Sequence, residues 1–246
     1  MPVLKDNIME ELKTTSGYKF SGVKVDKLGA SEYTLATLIN DASGSVFPYA
    51  REMEKCMKTA LASCKKSPRA ENLMLRAATF NHGLTEIHGF KLLNTIKDSD
   101  YDNILNPTGD TALFDAVQSS VETTRLYAER LHDQDFAVNA IIFAITDGED
   151  NASRATANSV KKAVTDAMKA ECLESITVVL IGVRAADFGV SDYLKNFQTE
   201  ANINQFIDIG EVSPGKLAKL ASFISRSISS TSQALQNGTS SSLLTF

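Results

Sequence analysis

The chain has 246 residues, 43% hydrophobic and 22% charged, which suits one soluble α/β domain with a substantial core. A formal net charge of -5, from 30 acidic and 25 basic side chains, gives no electrostatic basis for nucleic acid binding. No apolar stretch is long enough to span a bilayer, so no membrane role is expected. The start, Met1 to Leu12, lacks the basic start and apolar run of a secretory signal. Cys56, Cys64 and Cys172 form no disulfide framework, and reduced, buried thiols in a cytoplasmic protein are expected.

Residues 1–32 read as an N-terminal extension whose first 16 residues are polar and loosely held. Within it, Tyr18 to Val25 alternates roughly between apolar and polar, as a short strand or hairpin does, and Gly22 is placed at a bulge. Tyr33 to Ile39 is an apolar run of strand length. Phe47 to Cys64 repeats apolar residues at three- and four-residue intervals, which predicts an amphipathic helix with Phe47 inward. Leu73 to Phe80 reads as a buried strand and Thr85 to Phe90 as a more polar one. Their short link predicts an antiparallel hairpin at a sheet edge. Asp98 to Asp110 is a polar loop, and Thr111 to Leu131 a long helix. Ala137 to Ile145 is a central strand, followed by a helix over Ala155 to Ala170 and a strand over Ile176 to Val183. A helix over Val190 to Thr199, a strand over Ile203 to Ile209 and a helix over Pro214 to Ile228 complete the regular part. Residues 33–229 form the domain. The Ser-rich tail, 230–246, is expected to be disordered, with its apolar end Leu-Leu-Thr-Phe frayed.

Strands that alternate with helices and read as continuous apolar runs imply a mostly parallel sheet covered on both faces. Ligands of such sheets bind beyond the carboxyl ends of the strands, where the strand order reverses. Three oxygen-rich segments fall there. Asp41-Ala-Ser43-Gly-Ser45 follows a buried strand, Gly109-Asp110-Thr111 opens a long helix, and Asp147-Gly-Glu149-Asp150-Asn151 follows another buried strand. Each alone reads as a helix entry or a turn. Together they offer hydroxyls from Ser43, Ser45 and Thr111 and carboxylates from Asp41 and Asp147. Hard oxygen ligands suit Mg²⁺, with Mn²⁺ or Ca²⁺ as alternatives, and the lack of Cys and His argues against zinc. Hydroxyl ligands donate less charge than carboxylates. They leave the cation electron-poor, with a position open to a carboxylate from another molecule. Asp110, Glu149 and Asp150 are rim candidates, and a solvated acidic loop is the simpler reading of them.

The order and spacing of these segments resemble the metal-ion-dependent adhesion site (MIDAS) of von Willebrand factor A (VWA) domains, over about Tyr33 to Ser229. The resemblance implies a Rossmann-like fold with a six-stranded sheet and one antiparallel edge strand. It implies that Asp41, Ser43, Ser45, Thr111 and Asp147 hold one divalent ion, and that the ion recruits a Glu or Asp of a partner protein. Without signal, disulfides or a second domain, the chain looks closest to intracellular stand-alone members, such as the tellurium-resistance-associated group of the stress response, or to a phage-encoded relative.

Two alternatives remain open at this point. A metal-assisted hydrolase would use the same site. Against it, no histidine has an evident base role, since His82 and His88 flank the edge hairpin and His132 ends a helix. No nucleotide-binding loop and no nucleophile elbow is present. A metal-independent scaffold in a stress-response or phage assembly would not need all five residues.

Overall fold

The computed structural model describes residues 8–185 and 189–246. In chain order the elements are β1 (Met9–Lys13), β2 (Lys19–Val23), β3 (Glu32–Asp41), α1 (Ala50–Cys64), β4 (Leu73–Phe80), β5 (Leu84–Leu92) and α2 (Leu113–His132). There follow β6 (Ala137–Thr146), α3 (Ala157–Met168), β7 (Ser175–Gly182), α4 (Val190–Glu200), β8 (Gln205–Asp208) and α5 (Pro214–Gln236).

The eight strands form one mostly parallel sheet in the order β1-β2-β5-β4-β3-β6-β7-β8. Only β1·β2 and β4·β5 pair antiparallel among the described residues. One face packs on α1 and α5, the other on α2, α3 and α4. The buried faces of β3, β4, β6 and β7 are runs of Leu, Ile, Val, Ala and Phe, as a doubly covered sheet requires. The chain leaves β3 through α1 toward β4 and later returns to the other side of β3 as β6. The strand order therefore reverses at β3 and β6, and their carboxyl ends frame a cleft.

The expected six strands and antiparallel edge need correcting. The β1–β2 hairpin docks outside β5, so β5 is an interior strand. Residues 1–7 of the extension lie outside the described residues, but Met9–Lys13 is a strand and not a loose segment. Gly22 marks a close approach: it pairs with Phe90, and a Cβ there would sit 2.5 Å from the Tyr127 ring. A Cβ on Gly89 would lie 1.9 Å from the Ser21 carbonyl oxygen. These two bare backbones let β2 reach β5. The Tyr127 ring stacks on Phe90 at 4.8 Å, and its hydroxyl donates to the Val23 carbonyl at 2.7 Å. Deeper in, the fully buried Arg76 faces Glu86, with Nε 3.5 Å from Oε2. The Ser21 hydroxyl donates to Glu86 at 2.6 Å, and Arg76 donates to the Tyr18 hydroxyl at 3.1 Å. A buried ion pair adds little net stability unless its remaining groups are satisfied, and here β2 supplies part of that satisfaction.

The helix predicted from Phe47 begins later. Gly44–Tyr49 is a 3-10 turn with Pro48 inside it, and α1 starts at Ala50. The tighter turn shifts the phase, so Phe47 is 75% exposed while Met53, Met57, Ala60, Leu61 and Cys64 are buried.

The C-terminal expectation also needs correcting. The last helix runs past Ile228 to Gln236, and the tail is docked. Two of its residues serve polar groups of the body of the domain. The Thr231 carbonyl accepts from Asn139 Nδ2 at 2.7 Å, and the buried Ser232 hydroxyl accepts from Arg69 Nε at 2.8 Å. Beyond the helix, the Leu244 carbonyl accepts from Gln205 Nε2 at 2.9 Å. The Phe246 ring meets Phe223 edge-on at 5.8 Å, with Lys219 Nζ 4.5 Å from its centre. No helix among the described residues is long and apolar enough to cross a membrane.

Candidate metal centre

Asp41 is the last residue of β3, and Thr146 is the last of β6. Their side chains meet: the Thr146 hydroxyl donates to Asp41 Oδ2 at 2.6 Å. The other Asp41 oxygen accepts from the Ser43 backbone N–H at 2.7 Å. A short polar chain then crosses the cleft. Ser43 Oγ lies 3.1 Å from Ser45 Oγ, and the Ser45 hydroxyl donates to Asp147 Oδ1 at 2.8 Å. Asp41 and Ser43 are buried, Asp147 is half-buried and Ser45 is exposed, so the chain runs from the interior to solvent.

Thr111 is buried and precedes α2 by two residues. Two contacts bring it to the same place. The Gly44 N–H donates to the Gly109 carbonyl at 3.1 Å, joining the two loops. A Cβ on Gly148 would lie 3.6 Å from Thr111 Oγ1, so the Asp147 turn passes directly over that hydroxyl. Asp41, Ser43, Ser45, Thr111 and Asp147 thus gather at the β3/β6 reversal.

Burial pushes the Asp41 carboxyl up to about 6, against hydrogen bonds from Thr146 and Ser43 that favour its charge; the nearby Asp147 adds to the rise. No cationic side chain among the described residues pairs with Asp41. A buried carboxylate without a counter-charge, facing hydroxyl oxygens and a second carboxylate, has the chemistry of a hard-cation site. Among the described residues no group of three His, Cys, Asp or Glu side chains gathers for a metal, so an ion here would rest largely on hydroxyls.

The rim residues divide. Asp110 and Glu149 are exposed. Asp150 is structural: its Oδ1 accepts from the Phe114 N–H at 3.1 Å and from the Ser153 hydroxyl, so it caps α2 from outside the helix. The pattern also hid several partners. Asn151 Oδ1 accepts from the Thr111 N–H at 2.8 Å, and Ser153 Oγ accepts from the Asp115 N–H at 3.0 Å. Asp115 returns the contact by accepting from the N–H groups of Arg154 and Ala155, at 3.1 and 2.7 Å. The only hint in the sequence is the density of Asp, Asn and Ser after Asp147. Asn40 and Tyr49 lie under the site and carried no signal.

The histidines take different places. His88 is sealed inside, with Nδ1 2.9 Å from the Gly89 carbonyl and Nε2 2.9 Å from the Tyr101 hydroxyl. Burial pushes its pKa down to about 4. His132 ends α2, and the exposed His82 lies beside Gly109, where a Cβ would meet its Nδ1 at 3.2 Å.

No family model matches the chain, and no curated protein does. Solved structures do. A point mutant of the PilB minor pilin from Streptococcus sanguinis superposes with a TM-score of 0.60 at 15% identity, over 91% of this chain and 67% of that one. The open conformation of the pilus adhesin SpaC from Lactobacillus rhamnosus GG gives 0.56 at 12% identity, over 86% of this chain and 31% of that one. Proximal thread matrix protein 1 from the mussel byssus, with a zinc-occupied MIDAS motif, gives 0.53 at 16% identity, over 80% of this chain and 46% of that one. The chain therefore spans between 31% and 67% of the length of these proteins. Identities this low speak for architecture alone, and the architecture is a VWA-like fold.

Proposed function

We propose that this protein is a divalent-metal-dependent protein-binding module. Asp41, Ser43, Ser45, Thr111 and Asp147 hold one ion, and a Glu or Asp of a partner protein completes its coordination. The observation that carries this reading is the Ser43–Ser45–Asp147 chain running out to solvent from the buried, uncompensated Asp41. When bound, the ion supplies a Lewis-acidic position with room for an external carboxylate. Asp41 is held for it by Thr146 and Ser43, and Thr111 by Asn151.

Mg²⁺ is the proposed ion, with Mn²⁺ or Ca²⁺ as alternatives. The byssus protein carries zinc in its MIDAS motif, so zinc joins the ions to be tested at this site. Binding is preferred to catalysis. His88 is sealed from the cleft, and His82 sits on a solvent-exposed turn with no described contact to the five residues. The sequence resembles intracellular stand-alone members of the family, while the similar folds come from a pilin, a pilus adhesin and a byssus matrix protein.

Isothermal titration with Mg²⁺ and Mn²⁺ tests the site. One ion is expected per chain, and Asp41→Ala should remove binding without unfolding the domain. A pull-down of partners with and without EDTA tests the bridge. Equal capture in excess EDTA sinks it, and phosphoester hydrolysis lost with Asp41→Ala would favour the enzyme instead.

A further inference from the structure

A narrow cavity lies beneath the Asp41–Ser45 loop, lined by Asn40, Asp41, Tyr49, Met53, Thr146 and Asp147. It has room for one water molecule. Asn40 sits on the face of β3 that α1 covers, in line with the apolar Ala36 and Leu38, and is 1% exposed. Tyr49, the residue before α1, is 5% exposed. Asn40 Oδ1 and Nδ2 have no hydrogen-bond partner among the described residues, and the Tyr49 hydroxyl approaches the Asp147 carboxylate without forming a direct bond of good geometry. An unpartnered buried polar group is rare in a folded protein, and three of them on one cavity need a common explanation.

The chemistry of the three atoms selects the occupant. A cation would suit Asn40 Oδ1 and the Tyr49 oxygen but would be repelled by the Nδ2 donor. A water accepts from Nδ2 and from the tyrosine hydroxyl, and donates to Asn40 Oδ1 and to a carboxylate. Both carboxylates of the metal centre, Asp41 and Asp147, line the cavity.

We propose that Asn40 and Tyr49 hold one buried water that braces the Asp147 carboxylate from below, which makes both of them positioning residues for the metal ion. The metal-affinity part of this inference rests on the function proposed above; the water does not. Outer partners of metal ligands fix ligand orientation, and their loss commonly weakens binding by about 10- to 100-fold.

The test combines a crystal structure of the wild type with Mn²⁺ titrations of the wild type, Tyr49→Phe, Asn40→Leu and the double variant. Metal-free melting midpoints are measured beside them. One water is expected within hydrogen-bond distance of Asn40 and Tyr49. Each single variant should weaken Mn²⁺ binding about tenfold. The double variant should be no worse than the weaker single, because both residues hold the same water. Metal-free midpoints of the single variants should fall slightly, since each leaves the water short of a partner, and the double variant should recover part of that loss because no polar group is left to serve. A merely structural role would lower the midpoint and leave affinity unchanged. An empty cavity, a metal ion in it, or variants that bind Mn²⁺ like the wild type would overturn the inference. Should Asn40→Leu not fold, Tyr49→Phe removes a single atom and carries the test. A wild type that binds no Mn²⁺ sinks the proposed function and the positioning role together, and the density in the cavity then decides the water alone.

Discussion

Replacing Gly89 with alanine should detach the N-terminal hairpin. The new methyl group would lie 1.9 Å from the Ser21 carbonyl oxygen and 2.2 Å from Ser21 Oγ. The first of these is backbone of the neighbouring strand and cannot rotate away, so β2 must move off β5. Moving it disturbs the Phe20–Phe90 edge contact, the Tyr127–Val23 hydrogen bond and the Ser21–Glu86 contact together. Overpacking in a close-packed core costs about 1–3 kcal/mol, and the upper end applies where the obstacle is backbone. At about 2–4 °C per kcal/mol for a domain of this size, the midpoint should fall by about 6–12 °C. Gly83→Ala is the control, because nothing lies within 4 Å of a Cβ there. Thermal melts of both variants, with amide exchange of Met9–Lys13 and Lys19–Val23, make the comparison. The hairpin amides should exchange faster in Gly89→Ala while those of β6 keep most of their protection. Equal melting points for the two variants, or unchanged hairpin exchange, would refute the account of how β2 is docked.

His88 predicts a pH dependence of stability. Its folded pKa of about 4 lies below the ordinary 6.5, so the unfolded chain takes up the proton first. The stability it contributes is complete above pH 6.5 and is lost as the pH falls toward 4, by up to about 3 kcal/mol. Between pH 7 and 4.5 the melting point of His88→Gln should fall less steeply than that of the wild type, and identical slopes would show that His88 is not the group responsible. Phe246→Ala should cost about 1 kcal/mol through the lost edge contact with Phe223, read by urea unfolding. No change would mean that the tail does not rest on α5 in solution.

Much of the fold is legible in the sequence because period and burial agree. Leu73–Phe80 is a strand with the bounds its apolar run suggests, since both of its faces are covered. The five oxygen residues of the cleft could be named because strand ends and loop openings are visible as breaks in apolar pattern. What could not be read depends on contacts distant in the chain. Phe47 fits a helical period, but Pro48 and the 3-10 turn rotate it into solvent. Thr231 and Ser232 read as tail residues, and only the packing against Asn139 and Arg69 makes them interior. The docking of β2 hangs on bare backbone at Gly22 and Gly89, which a sequence shows only as two glycines. Asn40 looks like an interruption in a strand until Tyr49 is seen across the same cavity.

The reciprocal contacts between α2 and the segment after Asp147 bear on the thermodynamics of ligand capture. Asp150, Asn151 and Ser153 hold the start of α2, while Asp115 holds Arg154 and Ala155. Those contacts tie the loop to the helix within the fold itself. The entropy of ordering it has been spent before any ligand arrives, at roughly 1–2 kcal/mol per residue of backbone. An ion bound at this cleft would therefore lose little free energy to ordering that loop, as in other preorganised sites.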